Sequence, residues 1–235
     1  MTIDASLAEN AGMIKKVNKY TYSGAVQKVA AGAGNTVRGS ITFATSPYEV
    51  EVYQQVADYT DEDAMQDNHV VDFILEGAST TMINDLNSKF FAELDKATLE
   101  QTYANGGAIS YDTVVDAIAK MNLEDESGLF LVIGTDLKAA IRKDEDFKSK
   151  ELGKVIADGA IGTLSGVPVI VSKLVDAGVA YLAHPSAVTC FIKKESEVEQ
   201  DRAKETRTNT VIMRRVGLVA LTDATKVVKI LEADE

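Results

Sequence analysis

The chain has no tryptophan, one cysteine and only 6% aromatic residues in 235. Pockets for sugars, nucleobases or flavin rings are commonly lined with aromatic side chains, and few are on offer. The single thiol, Cys190, excludes an intramolecular disulfide and a cysteine-held metal cluster. It lies in the apolar run 187–192, where a buried, inert thiol is expected. No run approaches 18 apolar residues, so no membrane-spanning helix and no membrane partner are expected. The opening MTIDASLAEN has neither the basic nor the apolar part of a signal peptide. The expectation is a soluble chain made in a reducing compartment.

Catalytic and metal-binding residues are sparse too. The two histidines, His69 and His184, stand apart, without a metal-ligand partner at helical or strand spacing. A Cys190–His184 pair lacks a third, orienting group. Gly32-Ala33-Gly34 lacks the strand-then-helix setting and third glycine of a dinucleotide fingerprint. The stretch Gly159–Gly166 lacks the Lys-Ser/Thr ending of a phosphate loop. The acids Asp61, Glu62, Asp63 and Asp67 do not match a calcium loop and suit a helix N-terminus. No catalytic residue, cofactor site or metal site is assigned, and the chain reads as a non-enzyme.

What the chain does have is a long amphipathic segment between two β-patterned regions. Val71, Leu75, Ala78, Met82, Leu86, Phe90, Leu94 and Ala97 recur three or four apart, one stripe on a 3.6-residue period. Thr60 is a suitable N-cap with Asp63 as its box partner, and Asn105-Gly106-Gly107 is a stop signal. A helix over Asp61–Tyr103 is expected, about 60 Å long if unbroken. Gly77 weakens it locally, and Asn68-His69 is a place for an early break. Such a helix serves as a spine, and spines belong to proteins that assemble.

Before it, alternating residues from Tyr22 to Tyr59 with a glycine-bearing tip at 30–35 indicate a projecting β-hairpin. After it comes mixed α/β texture. Ser110 caps a helix with Val114, Val115, Ile118, Ala119 and Met121 inward. Leu129–Ile133 is a strand, and Thr135 caps a helix over Asp136–Lys143. Strands follow at Val167–Val171, Val179–Ala183 and Ala187–Lys193. The charged segment Lys193–Arg207 leads to closing strands Val211–Met213, Val216–Leu221 and Val227–Leu231.

Charge is regional. From Gly39 to Ser88 there is no Lys or Arg but ten acids, while the preceding arm and hairpin carry Lys15, Lys16, Lys19, Lys28 and Arg38. One reading is solvated faces. The other is complementarity between subunits, a basic arm and hairpin tip lying on the acidic base of a neighbour's helix. Segment Lys193–Arg207 interleaves five basic and five acidic residues, which suits a surface ribbon or an edge that pairs with its copy. A net charge of −12 argues against electrostatic capture of nucleic acid.

Several segments resemble the HK97-type major capsid protein of tailed bacteriophages. Thr21–Val26 is similar to the opening of its extended loop, and Asp58–Glu62 to the start of its spine helix. The run Gly159–Val171, with Gly-Val-Pro-Val at 166–169, resembles its axial-domain motif. Asp201-Arg202, Val216–Leu218 and Lys226–Ile230 resemble its closing strands. The resemblance runs from about residue 20 to the end.

It implies an α+β, HK97-like capsid fold with N-terminal arm, extended β-hairpin loop, long spine helix, α/β axial domain and β-rich peripheral domain. The corresponding ranges are 1–20 for the arm, 21–59 for the loop and 60–108 for the spine helix. The axial domain takes 109–188, and the returning peripheral strands take 189–235. The implied role is a major capsid protein whose pentamers and hexamers form an icosahedral shell around double-stranded DNA. Partners would be itself, a scaffolding protein, a portal and a decoration protein, in a virion assembled in the host cytoplasm. Interface candidates are Lys15, Lys16, Lys28, Arg38, Asp61, Glu62, Asp63, Asp67, Lys193, Lys194, Glu197, Glu199, Asp201 and Arg202. Some members carry a cleaved N-terminal scaffolding region, for which a separate scaffold or a removed leader would stand here. Some form a Lys–Asn cross-link. Lys28 and Asn209 are the right types, but no local motif carries that chemistry over. The alternatives are an encapsulin-like compartment, an α/β enzyme with an unusual site, and a tail-tube or filament protein.

Overall fold

The strand Thr2–Asp4 (β1) opens the chain and adds to the body, and a turn of 3-10 helix over Ser6–Glu9 buries Leu7. The computed structural model describes residues 1–104, 106–143 and 162–233. Strand β2, Ile14–Ser23, pairs antiparallel with β3, Ser40–Glu49, from Ile14 opposite Glu49 to Ser23 opposite Ser40. The hairpin therefore begins earlier than Tyr22 and closes well before Tyr59. Its lower edge is set by Val50, which is buried and whose amide donates to Met13 O at 2.8 Å. Beyond that point β4, Glu51–Thr60, enters a different sheet.

The spine is two helices, α1 over Asp61–Gln66 and α2 over Val70–Leu94. The break falls where Asn68-His69 suggested it. The Asp67 carboxylate accepts from the His69 amide at 2.8 Å, a local turn that competes with helical bonding. At 25 residues α2 spans about 37 Å, well short of 60. The apolar stripe holds throughout: Ala78, Met82 and Leu94 are buried, and Val71, Leu75, Leu86, Phe90 and Ala97 are half-buried.

The expected helix end at Asn105-Gly106-Gly107 is overturned, and Asn105 itself lies outside the described residues. Residues Leu99–Tyr103 form strand β5, parallel to β12, Val227–Glu232. The ladder with β12 outweighs the weak helical preference of a segment holding Thr98 and Thr102.

Strands β10, Val188–Ala203, and β11, Thr208–Leu221, form one long antiparallel hairpin. It absorbs what local pattern divided into a strand, a ribbon and two further strands. The cause of the apparent division is irregular pairing: the register shifts between Ile192 and Lys194 and again between Lys194 and Glu197. Opposite this region sits Gly217, where a Cβ would stand 2.6 Å from the Phe191 carbonyl oxygen. The sheet order is β1-β10-β11-β4. On one face Ala78 and Met82 of α2 pack with Met213. On the other, Leu7 and Val17 pack with Val50, Phe191, Val216 and Leu218.

The second sheet has the order β5-β12-β9-β6-β8-β7. Its remaining members are β6, Phe130–Ile133; β7, Thr163–Leu164; β8, Val167–Val171; and β9, Val179–Ala183. Helices α3, Tyr111–Met121, and α4, Thr135–Lys143, cover it. Ser110 caps α3 by accepting from the Thr113 amide at 3.2 Å. The buried apolar positions of α3 are Val114, Ala117, Ile118 and Met121, whereas Val115 and Ala119 face solvent. A 3.6-residue period puts 114, 117, 118 and 121 on one face and turns 115 and 119 away. Of the expected glycine-rich link, Gly166 adopts φ +77 in the turn between β7 and β8, and Gly159 lies outside the described residues. A further core, with Leu94, Tyr181, Val188, Cys190, Leu221 and Val227, joins the two sheets beneath the end of α2.

Candidate assembly surfaces

The start of the spine is fastened within the subunit. Thr60 and Asp63 form a full capping box, the Thr60 amide donating at 3.0 Å and the Asp63 amide donating back to the hydroxyl at 3.1 Å. The Thr60 hydroxyl, donating to the Asp63 carboxylate at 2.7 Å, and then the Thr60 amide hold the Asp63 carboxyl below its usual range. Asp61 accepts from Asn209 Nδ2 at 2.8 Å and from the Arg202 guanidinium at 2.5 Å. Those two partners, Asn209 first, lower the Asp61 pKa. Arg207 approaches Glu62 at 3.9 Å, and its carbonyl accepts from the Asp61 amide at 3.1 Å. The tip of the β10–β11 hairpin therefore neutralises the first acids of α1.

The other candidates divide into engaged and open groups. Lys15 lies 4.6 Å from the Phe191 ring centroid. Lys193 donates to the carbonyls of Asn10 (3.0 Å) and Gly12, tying the arm to β10. Lys194 and Glu197 pair at 2.6 Å. Asp201 accepts from the Arg202 amide at 2.8 Å. Lys16, Lys28, Arg38 and Glu199 stand exposed, the middle two in the loop 24–39. β1 pairs with β10 only through Phe191, so the outer edge of β10 beyond it lies past the reach of β1. Its two register shifts and dense charge are features that discourage edge pairing, which weighs against self-pairing around Lys193–Glu197.

Local pattern did not single out the apolar face of the β2–β3 hairpin. Tyr20 faces Phe43 and Tyr22 faces Ile41 across the strands, and all four are exposed, Phe43 by 73%. Alternation within 20–22 and 41–43 was the available signal. Glu93 was also missed: an acid on the inward side of the stripe, 8% exposed, accepting from the Leu221 amide at 3.1 Å. Nearby Asp95 accepts from Lys229 at 2.6 Å and from the Tyr181 hydroxyl at 3.0 Å, fixing the end of α2 to the second sheet. The Lys229 bond first, then Tyr181, holds the Asp95 carboxyl low against its partial burial.

The residues that suggested chemistry are otherwise occupied. Cys190 is buried, and burial raises its pKa. His184 Nδ1 accepts from the Ser186 amide at 3.2 Å and caps a 3-10 turn. Asn209 is buried on Asp61. Among the described residues no group of three or more His, Cys, Asp or Glu could hold a metal ion, and no helix is long and apolar enough to cross a membrane.

A helix laid along a sheet, a hairpin projecting from its edge and a second mixed sheet behind define an HK97-type capsid subunit. Solved structures share this fold. The capsid of cyanophage P-SCSP1u matches with a TM-score of 0.80 at 9% identity, over 100% of this chain and 86% of that one. The mature capsid of bacteriophage PhiM1 matches at 0.74 and 11%, over 100% and 86%. A virus-like particle from Pyrococcus furiosus matches at 0.63 and 10%, over 98% and 89%. At such identities the likeness is one of fold. The family comes from sequence: a model described as phage capsid protein matches residues 42–230, and the chain belongs to that family. No curated protein matches it by sequence. It is a structural protein, a phage major capsid protein that builds a shell, and the encapsulin-like alternative is not favoured.

Proposed function

We propose that copies of this chain form pentamers and hexamers of an icosahedral shell around double-stranded DNA, without catalysis of their own. The observation that carries this is the hairpin β2–β3, which projects an apolar face, Tyr20, Tyr22, Ile41 and Phe43, that its own subunit leaves exposed. Such a face in water favours burial against another surface. Heterologous contacts that close into rings would give the capsomers. In this reading the second sheet with α3 and α4 is the axial domain. The spine with the first sheet is the peripheral domain, and β2–β3 is the extended loop over a neighbour.

The interface candidates keep that role in modified form. Lys16, Lys28 and Arg38 are exposed and form no ion pair among the described residues, which suits them to meet acids of another copy. Asp61 pairs with Arg202 and Glu62 with Arg207, so the receiving charge would come from Asp67, Asp72 and Glu76. A scaffolding protein, a portal and a decoration protein would act during assembly in the host cytoplasm. The net charge of −12 suits a wall that encloses DNA without gripping it.

Negative-stain electron microscopy of the purified protein, with light scattering, tests the reading. Closed shells or rings of five or six support it. A chain that stays monomeric even when co-expressed with its scaffold and portal overturns it.

A further inference from the structure

The hairpin β2–β3 is rooted in the body by Val17, Tyr48 and Val50, while its distal residues are exposed. The packing of Val17 and Val50 is apolar and therefore non-directional, so by itself it leaves the hairpin's angle loosely set. A buried carboxylate at the same root adds a directional contact between the hairpin and α2. Glu93 Oε2 accepts from the Leu221 amide at 3.1 Å and from the Tyr48 hydroxyl at 3.4 Å. Its Oε1 accepts from the Lys96 ammonium at 2.5 Å. One side chain thus joins the last turn of α2, the end of β11 and the penultimate residue of β3.

These three bonds are unequal. The ammonium bond is short and charge-assisted, and the amide bond is held by the backbone of β11. The Tyr48 contact, at 3.4 Å, is longer than the usual hydroxyl–oxygen bond and is the weakest of the three. If Tyr48 leaves, Glu93 keeps two donors and its buried charge stays compensated. Loss of Lys96 would strand that charge. Tyr48 is the partner that can let go, and it is half-buried, with solvent on one side.

We propose that Tyr48 and Glu93 form a latch that sets the angle between the hairpin β2–β3 and the spine helix α2. With the latch closed, the hairpin leaves the body in one direction. With Tyr48 released, the hairpin rocks on its apolar root while the body stays folded. The latch belongs to the single subunit and holds or fails independently of the shell reading.

The test is a distance measurement by dipolar electron paramagnetic resonance. Spin labels go on Ala33→Cys in the loop and Ser88→Cys on α2, in a Cys190→Ala background. Labelled chains are diluted in unlabelled protein, so only distances within one chain are read. Tyr48→Phe removes the hydroxyl alone. It is expected to widen the distance distribution at least twofold while denaturant unfolding remains cooperative. Tyr53→Phe removes a hydroxyl bonded to Glu51 and away from Glu93, and is expected to keep the narrow distribution. An unchanged width in Tyr48→Phe overturns the latch. So does widening accompanied by loss of cooperative unfolding, or equal widening in Tyr53→Phe.

Discussion

The Arg202 guanidinium stands 2.5 Å from the Asp61 carboxylate, joining the far end of β10 to the first residue of α1 across 141 positions of chain. Asn209, directly opposite Arg202 in the β10–β11 ladder, holds the other carboxylate oxygen. The hairpin tip and the helix start are therefore one unit, and the first acid of the spine is neutralised in its own subunit.

That arrangement predicts a pH dependence. The folded-state pKa of Asp61 lies below its ordinary 3.8, with the Asn209 bond the largest cause. The stabilisation it contributes is present above that ordinary value and lost as pH falls through the lower, folded one. The melting-temperature advantage of the parent over Asp61→Asn should be full at pH 7. It should fade in the acid range below 3.8. Thermal unfolding followed across pH checks this, and a difference that grows on acidification contradicts it.

Leu94 is fully buried where the end of α2 closes over both sheets. Leu94→Ala should cost about 2–5 kcal/mol, as a cavity that neighbouring strands cannot fill. Leu86→Asp, which puts a charge on the inward stripe, should prevent folding. Urea denaturation with circular dichroism measures the first, and soluble yield the second.

Gly217→Ala should destabilise by about 1–3 kcal/mol through overpacking, because the added Cβ meets a backbone oxygen rather than a movable side chain. Gly77→Ala, with open space around the added carbon, should leave stability equal or higher. The paired denaturation curves compare the two.

Reversal of Lys28 or Arg38 to Glu should leave the subunit folded and impair assembly. Both lie exposed in the loop 24–39, away from the buried cores. Light scattering at physiological salt reads the assembly and circular dichroism the fold. Normal assembly of both variants would remove the charge-complementarity argument.

Cys190 should react slowly with a thiol reagent in the native protein and rapidly in denaturant. It is buried, and burial raises its pKa. Fast native labelling would mean that the core between the sheets opens readily.

Periodicity and local chemistry are readable over a few residues, and those parts of this protein were legible. The stripe Val71–Ala97, the Thr60 and Ser110 caps, and the strands at 130–133, 167–171, 179–183 and 227–232 all follow from spacing and capping alone. So does the burial of Cys190.

Tertiary structure decided what depends on a distant partner. Leu99–Tyr103 is strand rather than helix because β12, more than a hundred residues later, offers it a parallel ladder. The first hairpin ends at Glu49 because Val50 is pinned in a core built with Phe191 and Val216. Lys193–Arg207 is half of one long hairpin because β11 pairs with it through two register shifts. Asp61 is satisfied in its own chain because that hairpin returns Arg202 and Asn209 to the start of the spine. Local energies set helix and strand tendencies, but strand partners and ion pairs are chosen among all residues of the chain at once. That choice is made only when the cores close.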